Sequence, residues 1–213
     1  LVRLNLKQPL PGAACLGAHL EGPFLNSTRG GALPRRWMRR PLRRELRALF
    51  RAAAGRLKVM TIAPELPGGA EAIRECVRQR IVASLGHTDA DAQAARRAVE
   101  AGAKAVTHVF NGMRPLHHRE PSLLDVALAD PRLTTMVILD GIHISPSAFR
   151  LLVRTKGVGR IALTTDSIRH AGWDVVRRRG AFYLPAPRAA RQAGTRHGTL
   201  AGSDLSMMGA VRN

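Results

Sequence analysis

Apolar residues in this chain gather into short runs separated by longer stretches of mixed character. Cys15–Leu20, Leu57–Ile62, Ile81–Leu85, Ala103–Thr107, Thr135–Leu139 and Arg160–Thr164 are short enough, and sharply enough bounded, to read as strands. Helical spacing fills the intervals: a basic stretch opening near Pro41, then Glu71–Gln79, Ala90–Ala101, Ser122–Ala129 and Pro146–Arg154, the last with proline at its favoured first position. Ile81–Met113 is the clearest unit, a strand, a helix stopped at Gly102 and a second strand, and its crossover is expected to be right-handed. Regularity fades after Ser167. The segment from Arg169 to Gly198 reads as loop and hairpin, and Leu200–Asp204 as the opening of a final helix.

Alternating strands and helices predict an α/β fold with a parallel sheet. Each strand-like run closes on an ionisable side chain: Glu21, Glu65, His87, His108, Asp140 with His143, and Asp166. Such groups at strand after strand suit the catalytic rim of a (β/α)8 TIM-type barrel. A doubly wound open sheet is the alternative, but it gathers its functional groups at one switch point. No glycine fingerprint or Walker loop follows the first strand. A complete barrel needs eight strands and about 250 residues. The expectation is therefore a single domain over residues 1–213, a barrel incomplete at one or both ends.

Composition narrows the class. The chain has 213 residues, 45% of them hydrophobic, and no apolar run near the roughly 20 residues that span a bilayer. Its first segment lacks the apolar core of a signal peptide. Two cysteines, Cys15 and Cys76, supply neither a disulfide framework nor paired metal spacing, which fits a reducing, cytoplasmic setting. The net charge of +19 comes mostly from arginine, densest between Arg35 and Arg51. Arg35, Arg39, Arg43, Arg47 and Arg51 recur every fourth residue, so a helix there carries a wide cationic face. Two readings stand: a patch for nucleic acid or another anionic surface, and a solvated helix face. Without an accompanying aromatic platform the solvated face is preferred, and nucleic acid is not expected as a partner.

The strand-end residues permit a definite chemistry. Glu21 shares one side of its strand with His19, and His87 and His108 stand at equivalent places on consecutive strands. A carboxylate and two imidazoles can hold one divalent metal, most suitably zinc, and leave a position for water. Asp166 is then placed to act as general base on that water; its alternative role is to cap the Thr-Asp-Ser turn.

GAHLEGPF, VMTIAPE, SLGHTDA, THVFNGMRPLHHREP, ILDGIHISP, ALTTDS and LAGSDLSM, in that order, resemble the motifs of N-acetylglucosamine-6-phosphate deacetylase, a family of metal-dependent amidohydrolases on a TIM barrel. The resemblance runs from about residue 15 to the end. It implies hydrolysis of N-acetylglucosamine 6-phosphate to glucosamine 6-phosphate and acetate. It also implies Glu21, His87 and His108 as metal ligands and Asp166 as the catalytic acid/base. Asn111 and the backbone of Gly112 would hold the substrate near its phosphate, and His143 would contact the sugar. Arg119 would bind phosphate from the neighbouring subunit of a homodimer; read alone, it is one more surface arginine, as His143 read alone is a post-strand turn. Most of the family's accessory β-sandwich and its first strand would lie outside residues 1–213. Three departures stand out. Leu33 occupies the place of a histidine that helps polarise the substrate carbonyl, Gly112 replaces an alanine, and Ser167 follows Asp166 where alanine is usual. The rival expectation is a catalytically weakened barrel fragment that binds phosphate or nucleic acid through its cationic surface.

Overall fold

The computed structural model describes residues 14–168, 176–178, 180–184 and 198–213. Strands β1 (Ala18–Glu21), β2 (Leu57–Ile62), β3 (Val82–Leu85), β4 (Ala105–Val106), β5 (Thr134–Ile138) and β6 (Ile161–Thr164) pair in sequence order, every neighbouring pair parallel. Between them run α1 (Arg43–Ala53), α2 (Gly69–Arg78), α3 (Ala92–Glu100), α4 (Leu123–Ala129) and α5 (Pro146–Lys156). The sheet is curled into an incomplete barrel. Among the described residues β1 has only β2 as a neighbour and β6 only β5, so the six strands do not close.

Local signals explain the helix starts. The Asp91 side chain accepts from the Ala94 amide at the head of α3. Ser122 and Asp125 form a capping box on α4, and Ser145 caps α5 just before Pro146. Helices cover one face of the sheet, and the core lies between. Met60 and Ile62 of β2, Leu85 of β3 and Val106 of β4 are fully buried there, with Ile73 and Cys76 of α2, Ala95 of α3 and Leu123 of α4. The Cys76 Sγ sits 3.9 Å from the Met60 Sδ, and burial, with the Glu75 charge, pushes its thiol pKa up to about 12. It is a packing residue.

The opposite, inward face of the sheet is polar. Thr61 of β2 bonds to Thr107 after β4 (2.8 Å), Thr107 to Ser84 of β3 (2.7 Å), and His19 Nε2 of β1 lies 2.7 Å from Thr61 Oγ1. All three hydroxyls are buried, and the ladder satisfies them. Register then sets the height of the site. Leu85 pairs with Val106, so His87 and His108, each two residues further on, leave the sheet at the same level. Glu21 pairs with Thr61 at the end of β1.

The tail differs from its sequence reading. Leu200–Ser203 is a strand, β9, and not the start of a helix; it pairs antiparallel with β8 (Ala181–Tyr183), which pairs with β7 (Val176–Arg178). The final helix, α6, begins only at Met207 (Met207–Arg212). The β7–β8 hairpin agrees with the sequence reading; the rest of that expected loop, 169–175, 179 and 185–197, falls outside the described residues. Among the described residues, no helix is long and apolar enough to cross a membrane.

Candidate metal centre

Three side chains far apart in the chain meet at one point. Glu21 Oε1 lies 2.8 Å from His87 Nε2 and 2.8 Å from His108 Nε2, and the two imidazole nitrogens are 3.2 Å apart. The rings stand edge to face, their planes at 89°. Both histidines are buried and Glu21 is half-buried. The residues that turn these groups inward pay no heed to ordinary backbone preference. His87 (φ 46°), His108 (φ 28°) and Asp166 (φ 47°) all adopt the left-handed region directly beyond their strands. For side chains with a Cβ this costs about 1–3 kcal/mol each.

A metal fits the donor set. The carbonyl oxygen of Arg29 lies 2.8 Å from His87 Nδ1 and can only accept, so Nδ1 carries the proton. With that proton alone on the ring, Nε2 presents a lone pair toward a carboxylate oxygen, an arrangement that suits a cation between them. Ligand atoms around a zinc ion with bonds of 2.0–2.1 Å stand about 3.3 Å apart, so the observed 2.8–3.2 Å spacing needs only a small expansion. His108 is less constrained: its Nδ1 is buried with no hydrogen-bond partner among the described residues.

Electrostatics couple the same groups. Burial works to raise the Glu21 pKa, but the hydrogen bonds and charges of His108 and His87 outweigh it and hold the carboxyl well below the usual range. Burial disfavours a charged His108, yet Glu21, with help from Asp166, raises its pKa overall. Asp166 moves the other way from Glu21: burial, with the Glu21 charge, raises it against the pull of His108, His143 and His87. Two carboxyls in one cavity are thus driven apart, one kept ionised and one inclined to hold a proton.

That cavity, about 310 Å³, is lined by Glu21, His87, His108, Asn111, Gly112, His143 and Asp166, together with Leu33. All the site residues expected from the sequence are brought together there except Arg119. Arg119 is exposed, outside the cavity lining, with its guanidinium donating to His118 Nε2 at 2.8 Å. Asn111 is tied down by its amide, which donates to the His108 carbonyl at 2.9 Å. At Gly112 (φ 60°) a Cβ would come within 2.9 Å of His87 Nδ1, so the departure from alanine gives this imidazole its room. His143 donates from Nδ1 to Asp140 at 2.6 Å, and Asp140 also accepts from the amides of Ile142 and His143. The turn reading of His143 therefore holds, and the turn orients a ring that lines the cavity.

Sequence reasoning missed several supports. Glu65, one of the strand-end acids, is not among the residues lining that cavity; it accepts from Asn26 Nδ2, Thr88 Oγ1 and the Asp89 amide, binding the loops after β1 and β3 together. Asp89 bridges Arg29 and Arg114, 2.8 Å from each. Asp166 is braced by β9, whose Ser203 amide donates to its carbonyl at 3.1 Å. Only LAGSDLSM, taken as a motif, hinted that this strand mattered.

No family model matches the chain. Whole-chain comparison does. It is 41% identical over 205 residues to the N-acetylglucosamine-6-phosphate deacetylase of Bacillus subtilis strain 168, covering 96% of this chain and 51% of that protein. Its relatives are amino-sugar-phosphate deacetylases. They include the N-acetylgalactosamine-6-phosphate deacetylase of Escherichia coli O157:H7, 38% identical over 95% of this chain and 53% of that one. Among solved structures, a mutant N-acetyl-D-glucosamine-6-phosphate deacetylase from Mycobacterium smegmatis in complex with N-acetyl-D-glucosamine-6-phosphate superposes with a TM-score of 0.82 at 34% identity, over 92% of this chain and 51% of that chain. The deacetylase from Thermotoga maritima gives 0.80 at 33%, over 93% and 53%. The chain therefore spans about half the length of the deacetylases it matches.

Proposed function

We propose that this chain carries the metal-binding and substrate-binding part of an amidohydrolase that removes the acetyl group of an N-acetylated hexosamine 6-phosphate, with N-acetylglucosamine 6-phosphate the first candidate. The carrying observation is the meeting of Glu21 Oε1 with the Nε2 atoms of His87 and His108 inside the cavity that Asp166 also lines. In this reading the six strands are part of a closed (β/α)8 barrel, and residues 1–213 belong to that one domain.

A divalent cation held by Glu21, His87 and His108, zinc by the nature of the donors, would supply Lewis acidity toward the amide carbonyl and toward water. The chain's own groups do the rest. Asp166 takes the proton from the attacking water and returns it to the leaving amine nitrogen, a task suited to a carboxyl whose pKa has been raised. His143, fixed through Asp140, contacts the sugar by its remaining ring nitrogen. Asn111 and Gly112 hold the phosphate end of the substrate, and Arg119, exposed and outside the lining of its own cavity, meets the phosphate bound by a second subunit of a homodimer. Leu33 offers no donor to the carbonyl, so turnover is about 10²–10³ below that of a site with a donor there. Both cysteines are free thiols, in keeping with a reducing, cytoplasmic setting.

The test is metal analysis of the purified chain beside acetate release from N-acetylglucosamine 6-phosphate and N-acetylgalactosamine 6-phosphate. One equivalent of zinc with slow acetate release from either sugar supports the reading. A folded protein that takes up no divalent metal and releases no acetate overturns it.

A further inference from the structure

The cationic stretch from Arg35 to Arg51 has no part in the proposed deacetylation, and its structure differs from the expected bland face. A tight turn at Arg35–Trp37 precedes α1, and Trp37 stands out from it, 55% exposed. The Arg36 guanidinium stacks 4.9 Å above the Trp37 ring. An aromatic platform therefore does accompany the charge.

Behind the tryptophan, Arg40, Arg43, Arg44, Arg47 and Arg51 are all exposed, and none has an ion-pair partner among the described residues. The single acid within the stretch, Glu45, is engaged by Arg39 at 3.4 Å. Arg43, Arg47 and Arg51 share one face of α1 at intervals of four residues, about 6 Å of rise each. The apolar side of the helix is already committed: Leu46 and Ala53 are buried, and Leu49 and Phe50 pack on the core. No greasy face remains to enter a bilayer, which disfavours an anionic membrane as the target.

We infer that this surface binds single-stranded nucleic acid, with a base stacked on Trp37 and the phosphodiester backbone laid along the arginines of α1. Extended strands are bound by this combination elsewhere: a cationic track for phosphates and an aromatic face for bases. The inference is independent of the deacetylase reading, since none of these residues lines the metal cavity.

The test is fluorescence anisotropy of a fluorescein-labelled, mixed-sequence 20-nucleotide DNA strand titrated with the full chain at several sodium chloride concentrations. Binding should weaken with salt at a log–log slope near −3.5, the release expected when about five phosphates are neutralised on a single strand. Trp37→Ala should weaken binding roughly 5- to 100-fold without changing the slope, and Trp37→Phe should recover part of the loss. The Arg43→Gln, Arg47→Gln, Arg51→Gln triple variant should reduce the slope by about 2. Circular dichroism of each variant checks that it is folded. Three results would overturn the inference: Trp37→Ala binding like the parent, an unchanged slope in the folded triple variant, or retention on phosphatidylglycerol vesicles with no binding to the strand.

Discussion

His87 is held by the main chain of Arg29: its Nδ1 donates to that carbonyl at 2.8 Å, which leaves Nε2 as the ligand atom facing Glu21. The carbonyl is itself placed through the Arg29 side chain, which Asp89 anchors at 2.8 Å while also holding Arg114, two residues beyond Gly112. Asp89 thus supports the imidazole proposed as a metal ligand without lining the cavity. Asp89→Asn should weaken zinc affinity by about 10- to 100-fold, the usual cost of disturbing a ligand's support. Competition against a chromogenic chelator measures this directly. Unchanged affinity would show that the Arg29 carbonyl stays in place unaided.

Asp166 invites a paired measurement. Asp166→Asn should lower kcat by about 10²–10⁴ while leaving zinc content unchanged, because the side chain is assigned to proton transfer and not to ligation. Stability should move the opposite way. A carboxyl whose pKa rises on folding favours the folded state below its unfolded pKa, and that contribution is lost as pH climbs through the folded pKa. Removing the charge should raise the melting temperature of metal-free protein near pH 7, with the difference vanishing at about pH 3.

Leu33→His tests the missing donor. If the cavity is otherwise competent, the added imidazole should raise kcat by about 10²–10³ with little change in KM, since the interaction matters most in the transition state. A rise in KM without a gain in kcat would mean that the side chain at position 33 meets the substrate in some other way.

Glu65→Ala removes one acceptor from three donors at once: Asn26 Nδ2, Thr88 Oγ1 and the Asp89 amide. A loss of roughly 2–4 kcal/mol is expected, seen as a lower urea midpoint. Because Thr88 and Asp89 follow His87 directly, zinc affinity should fall as well.

Much of this arrangement was legible in the residues. Strand-length apolar runs alternating with amphipathic stretches specified six parallel strands in order, and two histidines at equal distances beyond consecutive strands announced a shared site. What escaped notice was decided by atoms that residue type does not reveal. Arg29 acts through its carbonyl, which any residue possesses. Glu65 and Glu21 are both acids at strand ends, and only the surrounding donors tell the loop anchor from the ligand. Leu200–Ser203 reads as a helix start because three small residues in four leave no clear periodicity; its pairing with β8 makes it a strand. Trp37 belonged to a stretch read for charge, and the tight turn that lifts it into solvent depends on tertiary placement.

The left-handed backbone at His87, His108 and Asp166 has an evolutionary corollary. Glycine is the residue that would sit there most comfortably, and it carries no side-chain donor atoms. A lineage that had stopped using this cavity would drift toward glycine at those positions and gain robustness by doing so. Two imidazoles and a carboxylate in such awkward seats therefore cost folding stability that glycine at the same positions would not.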